Sequence, residues 1–236
     1  MHSKILISII IVTFNAGKHL QHLLDSLDGK LGSLSEVIII DGGSTDDTIS
    51  VIEQNSNIID KYISERDSGI YDAMEKGVKL AEGKYILFLG ADDKLLLNLS
   101  YIENILIDDN NIYYGDVLLH PSDTVYGGRF NTARLINRNI CHQSIFYPAS
   151  VFKKYQFDRK YKLMADYVMN LNVWADKGYN FMYLNMLISS YSVQGLSSTN
   201  IDKEFKKDIP AIIYKKFGVY GLFVKIFNPI RNFLKF

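Results

Sequence analysis

Lys84-Tyr85-Ile86-Leu87-Phe88-Leu89-Gly90-Ala91-Asp92-Asp93 is a short apolar run of strand character that stops at two adjacent carboxylates. A run this short, without alternation of polar and apolar residues, reads as a strand buried on both faces. Its charged end then lies at the carboxyl edge of the sheet, where open α/β sheets hold their ligands. Adjacent acids repel each other unless a cation sits beside them, and hard oxygen ligands suit Mg2+ or Mn2+ bridging to phosphate oxygens. The competing account is a solvated Asp-Asp turn that only caps the next segment, so the decision rests on what surrounds this strand.

Upstream, Ile5 to Val12 is β-branched and almost wholly apolar, the composition of a central parallel strand. It ends in the polar turn Thr13-Phe14-Asn15-Ala16-Gly17. From Lys18 to Leu31 apolar residues fall at Leu20, Leu23, Leu24, Leu27 and Leu31, the spacing of a helix with one stripe on the sheet. Val37 to Ile40 is a second strand, closed by Asp41-Gly42-Gly43-Ser44-Thr45-Asp46, with Ser44 or Thr45 as N-cap of a helix from about Asp47 to Gln54. Lys61 to Ser64 is a third strand, followed by Glu65-Arg66-Asp67-Ser68-Gly69 and a helix from Ile70 to Ala81. Strands alternating with helices at this pitch predict a Rossmann-like α/β fold with a mostly parallel sheet and right-handed crossovers. Asp41, Asp67, Asp92 and Asp93 all stand just beyond strand ends, so such a fold gathers them along one edge. That convergence favours a site over a set of solvated turns.

Downstream the alternation fades into a mixed half. Leu99 to Ile107 and Ala133 to Asn139 are helical in pattern, and Ile112 to Leu119 and Thr124 to Phe130 are strand-like. Cys141 to Pro148 reads as a strand with a polar entry, and Leu163 to Trp174 as a helix with Asp166 in its first turn. Phe181 to Leu184 and Ile188 to Val193 are two further strands, followed by a loop from Gln194 to Ser198. Trp174, Tyr179 and Tyr183 read as core aromatics, not sugar platforms. No repeat or proline-rich linker divides the chain, so residues 1–208 are expected to form one domain, with a nucleotide-binding half (1–98) and an acceptor-side half (99–208).

Residues 209–236 differ in kind: Lys215, Lys216, Lys225, Arg231 and Lys235 stand among many large apolar residues, with no acid. Such a basic, aromatic tail suits peripheral contact with an anionic bilayer; packing on the domain or on a second subunit, giving a homodimer, is the plainer alternative. Over the whole chain 26 basic residues balance 26 acidic ones, which argues against nucleic acid as a partner. The single cysteine, Cys141, excludes an internal disulfide framework and points to a reducing, cytoplasmic setting. The apolar run Ile5 to Val12 is too short for a membrane span and lacks a small-residue cleavage site, so it is read as a strand and not a leader.

Taken together, Val12-Thr13-Phe14-Asn15, the turn from Ile40 to Asp46, Gly69 through Gly77, Ala81-Glu82-Gly83-Lys84-Tyr85 and Gly90-Ala91-Asp92-Asp93 resemble the family 2 glycosyltransferases, inverting enzymes of the GT-A fold. The match is dense over about the first hundred residues, and motif order makes it more specific than any single motif. The resemblance implies a nucleotide-sugar donor, UDP-linked by expectation, with Thr13 and Asn15 beside it. It implies Asp41 as acceptor for the imino N–H of a uracil-like base, a role that suits an ionised carboxylate. Arg66 and Asp67 would flank the nucleotide. Asp92 would bind the divalent metal, Mg2+ or Mn2+, with Asp93 supporting it or the donor sugar, and the metal would neutralise charge on the departing diphosphate.

Inversion needs a base within hydrogen-bond reach of the acceptor hydroxyl, on the face opposite the leaving group. Met164-Ala165-Asp166-Tyr167 resembles the family's second acidic motif and makes Asp166 the implied base; a helix-capping acid is the alternative. His142 and Gln143 resemble an acceptor-side segment. Two positions depart from the family pattern: the leading acid of the metal motif is Gly90, and an Arg-Asn pair in the preceding helix is Met74-Glu75. The implied activity is transfer of a hexosyl or N-acetylhexosaminyl group to a glycan or lipid-linked acceptor in cell-surface polysaccharide synthesis, on the inner face of the membrane. A non-catalytic sugar-nucleotide-binding or scaffolding protein is the alternative from another class. A nucleotidyltransferase or phosphate-loop NTPase is disfavoured, because neither Thr13 to Gly17 nor Gly83-Lys84 supplies the glycine-rich basic loop they need.

Overall fold

The computed structural model describes residues 5–193 and 200–227. The loop expected at Gln194 to Ser198 and the last part of the basic tail lie outside these described residues. The first half alternates as expected: β1 (Ile7–Thr13), α1 (Gly17–Leu27), β2 (Ser35–Asp41), α2 (Thr48–Gln54), β3 (Lys61–Ser64), α3 (Ile70–Leu80) and β4 (Tyr85–Gly90). Strands β3, β2, β1 and β4 lie side by side and all parallel. β1 is buried along its whole length because it runs between β2 and β4 with helices on both faces.

Alternate residues of these strands feed two core layers. Ile10, Val12, Ile38, Ile40, Ile86 and Phe88 face the layer that includes α3, whereas Ile9, Ile11, Val37, Ile39, Leu87 and Leu89 face the leucine stripe of α1. Gly77 lets α3 approach the sheet: a Cβ there would stand 2.3 Å from Cγ2 of Ile10.

The second half continues the same sheet with mixed pairing. It comprises β5 (Lys94–Leu95), β6 (Asn111–His120), β7 (Thr124–Tyr126), α4 (Thr132–Asn137), β8 (Ile145–Pro148), α5 (Ser150–Lys154), α6 (Ala165–Trp174), β9 (Asn180–Ser192) and α7 (Lys203–Phe227). The order across the nine-stranded sheet is β3-β2-β1-β4-β8-β6-β9-β5, with β7 on the side of β6. β8 is antiparallel to both β4 and β6 and so joins the two halves.

Several local expectations are corrected here. Leu99 to Ile107 is not a helix: only Leu99–Tyr101 forms a 3-10 turn, because the segment bonds to the chain after α1 (Leu99 N to Lys30 O, 2.8 Å; Asn98 Nδ2 to Gly29 O, 3.1 Å). β7 stops at Tyr126, where Gly127 and Gly128 take positive φ. The polar entry to β8 is a 3-10 turn over His142–Ser144. The two strands expected between Phe181 and Val193 are one, irregular in register opposite Asp116 and with Asn185 at a φ of 45°. Helix α7 begins at Lys203, before the expected tail, and is kinked at Gly218.

Candidate active site

The strand register assembles the site. Thr13 pairs with Asp41 and Val12 with Gly90, while Ser64 lies opposite Asp41 on the other side, so the ends of four parallel strands form one edge. The loops that leave this edge are bonded to one another. Asn15, at a φ of 48°, donates its N–H to Ser44 Oγ (2.7 Å) and accepts the Thr45 N–H at Oδ1 (2.8 Å). Thr13 accepts the Gly42 N–H at its carbonyl (2.9 Å), and its hydroxyl is buried without a partner. Asp67 accepts the Gly69 N–H (2.9 Å) and lies against Gly42, where a Cβ would come 2.7 Å from Asp67 Oδ2. Arg66 is exposed beside it.

Asp41 is held from within its own loop. Its carboxylate is fully buried and bonded from within the chain: Oδ2 accepts from Gly43 N (3.1 Å), Ser44 N (2.9 Å) and Ser64 Oγ (2.6 Å), and Oδ1 accepts from the Ser44 hydroxyl. Three of the four donors fall on Oδ2 and one on Oδ1, so the carboxylate shapes the loop while Oδ1 keeps one lone pair. Ser44 is thereby removed as an N-cap. The N-cap position is Asp47, without a side-chain cap bond, and Asp46 just before it accepts from Thr48 N at 3.0 Å.

The two acids after β4 have different surroundings. Asp92 is exposed. Asp93 is 2% exposed; its Oδ2 accepts the Gly90 N–H (2.6 Å) and its Oδ1 is buried with no partner. Burial, and then the Asp92 charge, push Asp93 up to about 7. Among the described residues no three His, Cys, Asp or Glu side chains are grouped to hold a metal alone. A cation bound by one or two carboxylates and completed by diphosphate oxygens and water needs no such group. An orphaned, buried carboxylate oxygen next to an exposed carboxylate fits that donor set. Gly90 keeps the place open, since a Cβ there would stand 3.1 Å from Asp92 Oδ1 and 3.2 Å from Asp93 Oδ2.

Asp166 is linked to this pair through the segment 139–144, where Cys141 and His142 feel the charges of both Asp166 and Asp93. It is buried at the start of α6, where Oδ1 accepts from the Tyr71 hydroxyl (2.9 Å) and Oδ2 accepts from Asn139 Nδ2 (2.9 Å). His142 Nδ1 lies 3.2 Å from the same Oδ2. Burial pulls the His142 imidazole down, but the bond to Asp166 and the charges of Asp166, Asp93 and Asp92 outweigh it and raise it overall. His142 therefore stands between the two groups of acids and feels both. Gln143 is buried beside it, with its carbonyl taken by Ser189 Oγ (2.8 Å).

Three contacts were missed by sequence reasoning. Tyr71 lies two residues past Gly69, a spacing that could have placed it at the site. Asn170 follows Asp166 by four residues, hence on the same helical face; its amide reaches Asn139 Oδ1 (2.8 Å) and its Oδ1 accepts from Tyr147 (2.7 Å). Asn139 carries no such signal. Trp174, Tyr179 and Tyr183 are partly buried and pack against the core, Trp174 tilted against Phe181 (ring centroids 4.7 Å apart) and Tyr183 donating to Asp116 (2.8 Å).

Residues 8–99 match the family described as Glycosyl transferase family 2. Over 217 residues the chain is 36% identical to the PGL/p-HBAD biosynthesis glycosyltransferase of Mycobacterium bovis (strain BCG / Pasteur 1173P2), covering 86% of this chain and 83% of that one. The chain belongs to glycosyl transferase family 2. This family 2 glycosyltransferase is also 25% identical, over 69% of its length and 58% of the relative's, to an uncharacterized glycosyltransferase of Haemophilus influenzae. Its fold is that of the GT-A glycosyltransferases. S. aureus TarS 1–349 in complex with UDP superimposes with a TM-score of 0.71 at 18% identity, over 94% of this chain and 70% of that one. The mannosyltransferase PcManGT from Pyrobaculum calidifontis, in complex with GDP-Man and Mn2+, gives a TM-score of 0.65 at 13% identity, over 95% and 74%.

Proposed function

We propose that this family 2 glycosyltransferase transfers a hexosyl or N-acetylhexosaminyl group, with inversion, from a UDP-linked donor to a glycan or lipid-linked acceptor at the cytoplasmic face of the membrane. The observation that carries this reading is His142, which lies 3.2 Å from Asp166 and feels the charges of Asp93 and Asp92 as well. In that arrangement Thr13, Asn15, Arg66 and Asp67 bound the nucleotide, with Asp41 holding their loop in shape. Asp92 and Asp93 would hold a divalent cation, which supplies charge neutralisation at the leaving diphosphate.

Asp166 is the proposed base. Tyr71, Asn139 and His142 fix its carboxylate, and one oxygen retains a lone pair for the acceptor hydroxyl. An aspartate is a weak base, so its contribution comes from taking the proton as the new bond forms, with geometry supplying much of the effect. Donor functions fall in residues 1–98, acceptor functions in 99–208. A relative named for PGL/p-HBAD biosynthesis, and neighbours solved with UDP or GDP-Man, support the substrate classes.

The test is release of free nucleoside diphosphate from a panel of UDP-, GDP- and dTDP-sugars, with Mn2+ or Mg2+ and membrane lipid extract as acceptor. Turnover with a UDP-sugar supports the proposal; turnover with a GDP- or dTDP-sugar alone would overturn the donor assignment. Saturable donor binding without any release would assign the chain to a sugar-nucleotide-binding role instead.

A further inference from the structure

Helix α7 carries apolar residues on two opposite sides. On the inner side Ile209, Ile213, Gly221 and Val224 are buried where the helix packs on α4 and α6, and Lys225 Nζ reaches the Ile136 carbonyl at 3.1 Å. After the kink at Gly218 the other side presents Val219 (73% exposed), Tyr220 (58%), Phe223 (59%), Ile226 (59%) and Phe227 (66%) to solvent. The positions 219, 220, 223, 226 and 227 make one helical stripe, and the Phe223 and Phe227 rings stack at 4.7 Å. Monomeric soluble proteins seldom leave a contiguous patch of this kind uncovered.

Charge identifies what covers it. Between Ile209 and Phe236 the sequence holds Lys215, Lys216, Lys225, Arg231 and Lys235 and no aspartate or glutamate. Lys215 and Lys216 lie just before the kink, and a second copy meeting this face about a two-fold axis would offer the same acid-free segment and no carboxylate to pair with them. An anionic lipid surface accepts both features, with aromatic rings at headgroup level and lysines against phosphates. No described helix is long and apolar enough to cross a membrane, so the helix would lie along the surface.

We propose that the outer face of α7 beyond Gly218 is a docking surface for an anionic lipid bilayer. Docking there needs neither donor nor acceptor, so it stands or falls apart from the transfer reaction.

The test is flotation of the full-length chain with phosphatidylcholine vesicles, with and without phosphatidylglycerol, at low and high salt. Binding to the phosphatidylglycerol vesicles is expected to weaken about tenfold at high salt. The exposed-residue variant Tyr220→Ser/Phe223→Ser/Phe227→Ser and the charge variant Lys215→Glu/Lys216→Glu should each lose about tenfold in vesicle binding while keeping the parent melting temperature. Two results overturn the proposal: no flotation of the parent chain with phosphatidylglycerol vesicles, or a dimer in sedimentation that the serine substitutions dissolve.

Discussion

Tyr71 on α3 donates its hydroxyl to Asp166 Oδ1 at 2.9 Å, a buried hydrogen bond between residues 95 positions apart in sequence. α3 begins immediately after the loop that carries Asp67, so one bond ties a donor-side element to the proposed base. Removing the hydroxyl leaves the ring packed on Phe157, 5.1 Å away, and frees the carboxylate to turn. Tyr71→Phe is expected to cost about 1 kcal/mol of stability and on the order of ten- to a hundredfold in transfer rate. Donor affinity, measured by calorimetry, should stay at the parent value. A parallel loss of donor binding would make Tyr71 a fold element only.

Asp166→Asn keeps the size of the side chain and its bonds to one or two neighbours but cannot take a proton. Transfer should fall by about a thousandfold while donor binding persists. If donor binding disappears as well, Asp166 belongs with the nucleotide ligands and the base must be sought elsewhere.

Asp92→Ala removes an exposed carboxylate and leaves the fold intact, so its melting temperature without metal should match the parent's. Turnover should drop on the order of a thousandfold, reflecting several kcal/mol of lost leaving-group stabilisation. Mn2+ should no longer raise the melting temperature in the presence of nucleoside diphosphate. Undiminished turnover in chelator by the parent enzyme would remove the metal assignment.

Glu36 supplies a pH prediction away from the site. Burial raises its pKa, but bonds from Ser8 Oγ (2.6 Å), Glu82 N (2.7 Å) and Lys61 Nζ (2.9 Å) outweigh that and hold it below its ordinary value of 4.5. A group depressed in the folded state contributes stability above its unfolded pKa and loses it as pH falls through the folded one. Glu36→Gln should therefore be less stable than the parent at neutral pH, by about 2 kcal/mol. The gap should close below about 4.5, which a series of urea melts would follow.

The parallel half was legible in the sequence because its strands are buried on both faces and its helices carry single stripes. β1, β3 and α3 fall within a residue or two of expectation for that reason. Where a segment's backbone finds partners in a distant loop, periodicity misleads: Leu99, Ile102 and Leu106 are buried at helical spacing, yet their segment bonds to the turn after α1. Of the site, the edge acids were legible because strand ends in a parallel sheet share an edge. The bonds from Ser44 and Ser64 to Asp41 were not, since Ser64 enters from β3 through register, which local patterns do not encode. The same holds for Asn139 and Asn170, whose partners are set by packing between the 139–144 segment and α6.

Glu75 holds Arg159 through Nε (3.0 Å) and Nη2 while accepting the Phe157 N–H at 3.1 Å. Asp72 takes the remaining arm of the same guanidinium at 2.7 Å. The first hundred residues are thus not an interchangeable module. A graft that lacks Asp72 and Glu75 would leave Arg159 without its carboxylate partners, so working hybrids of this enzyme must move residues 72, 75 and 159 as one unit.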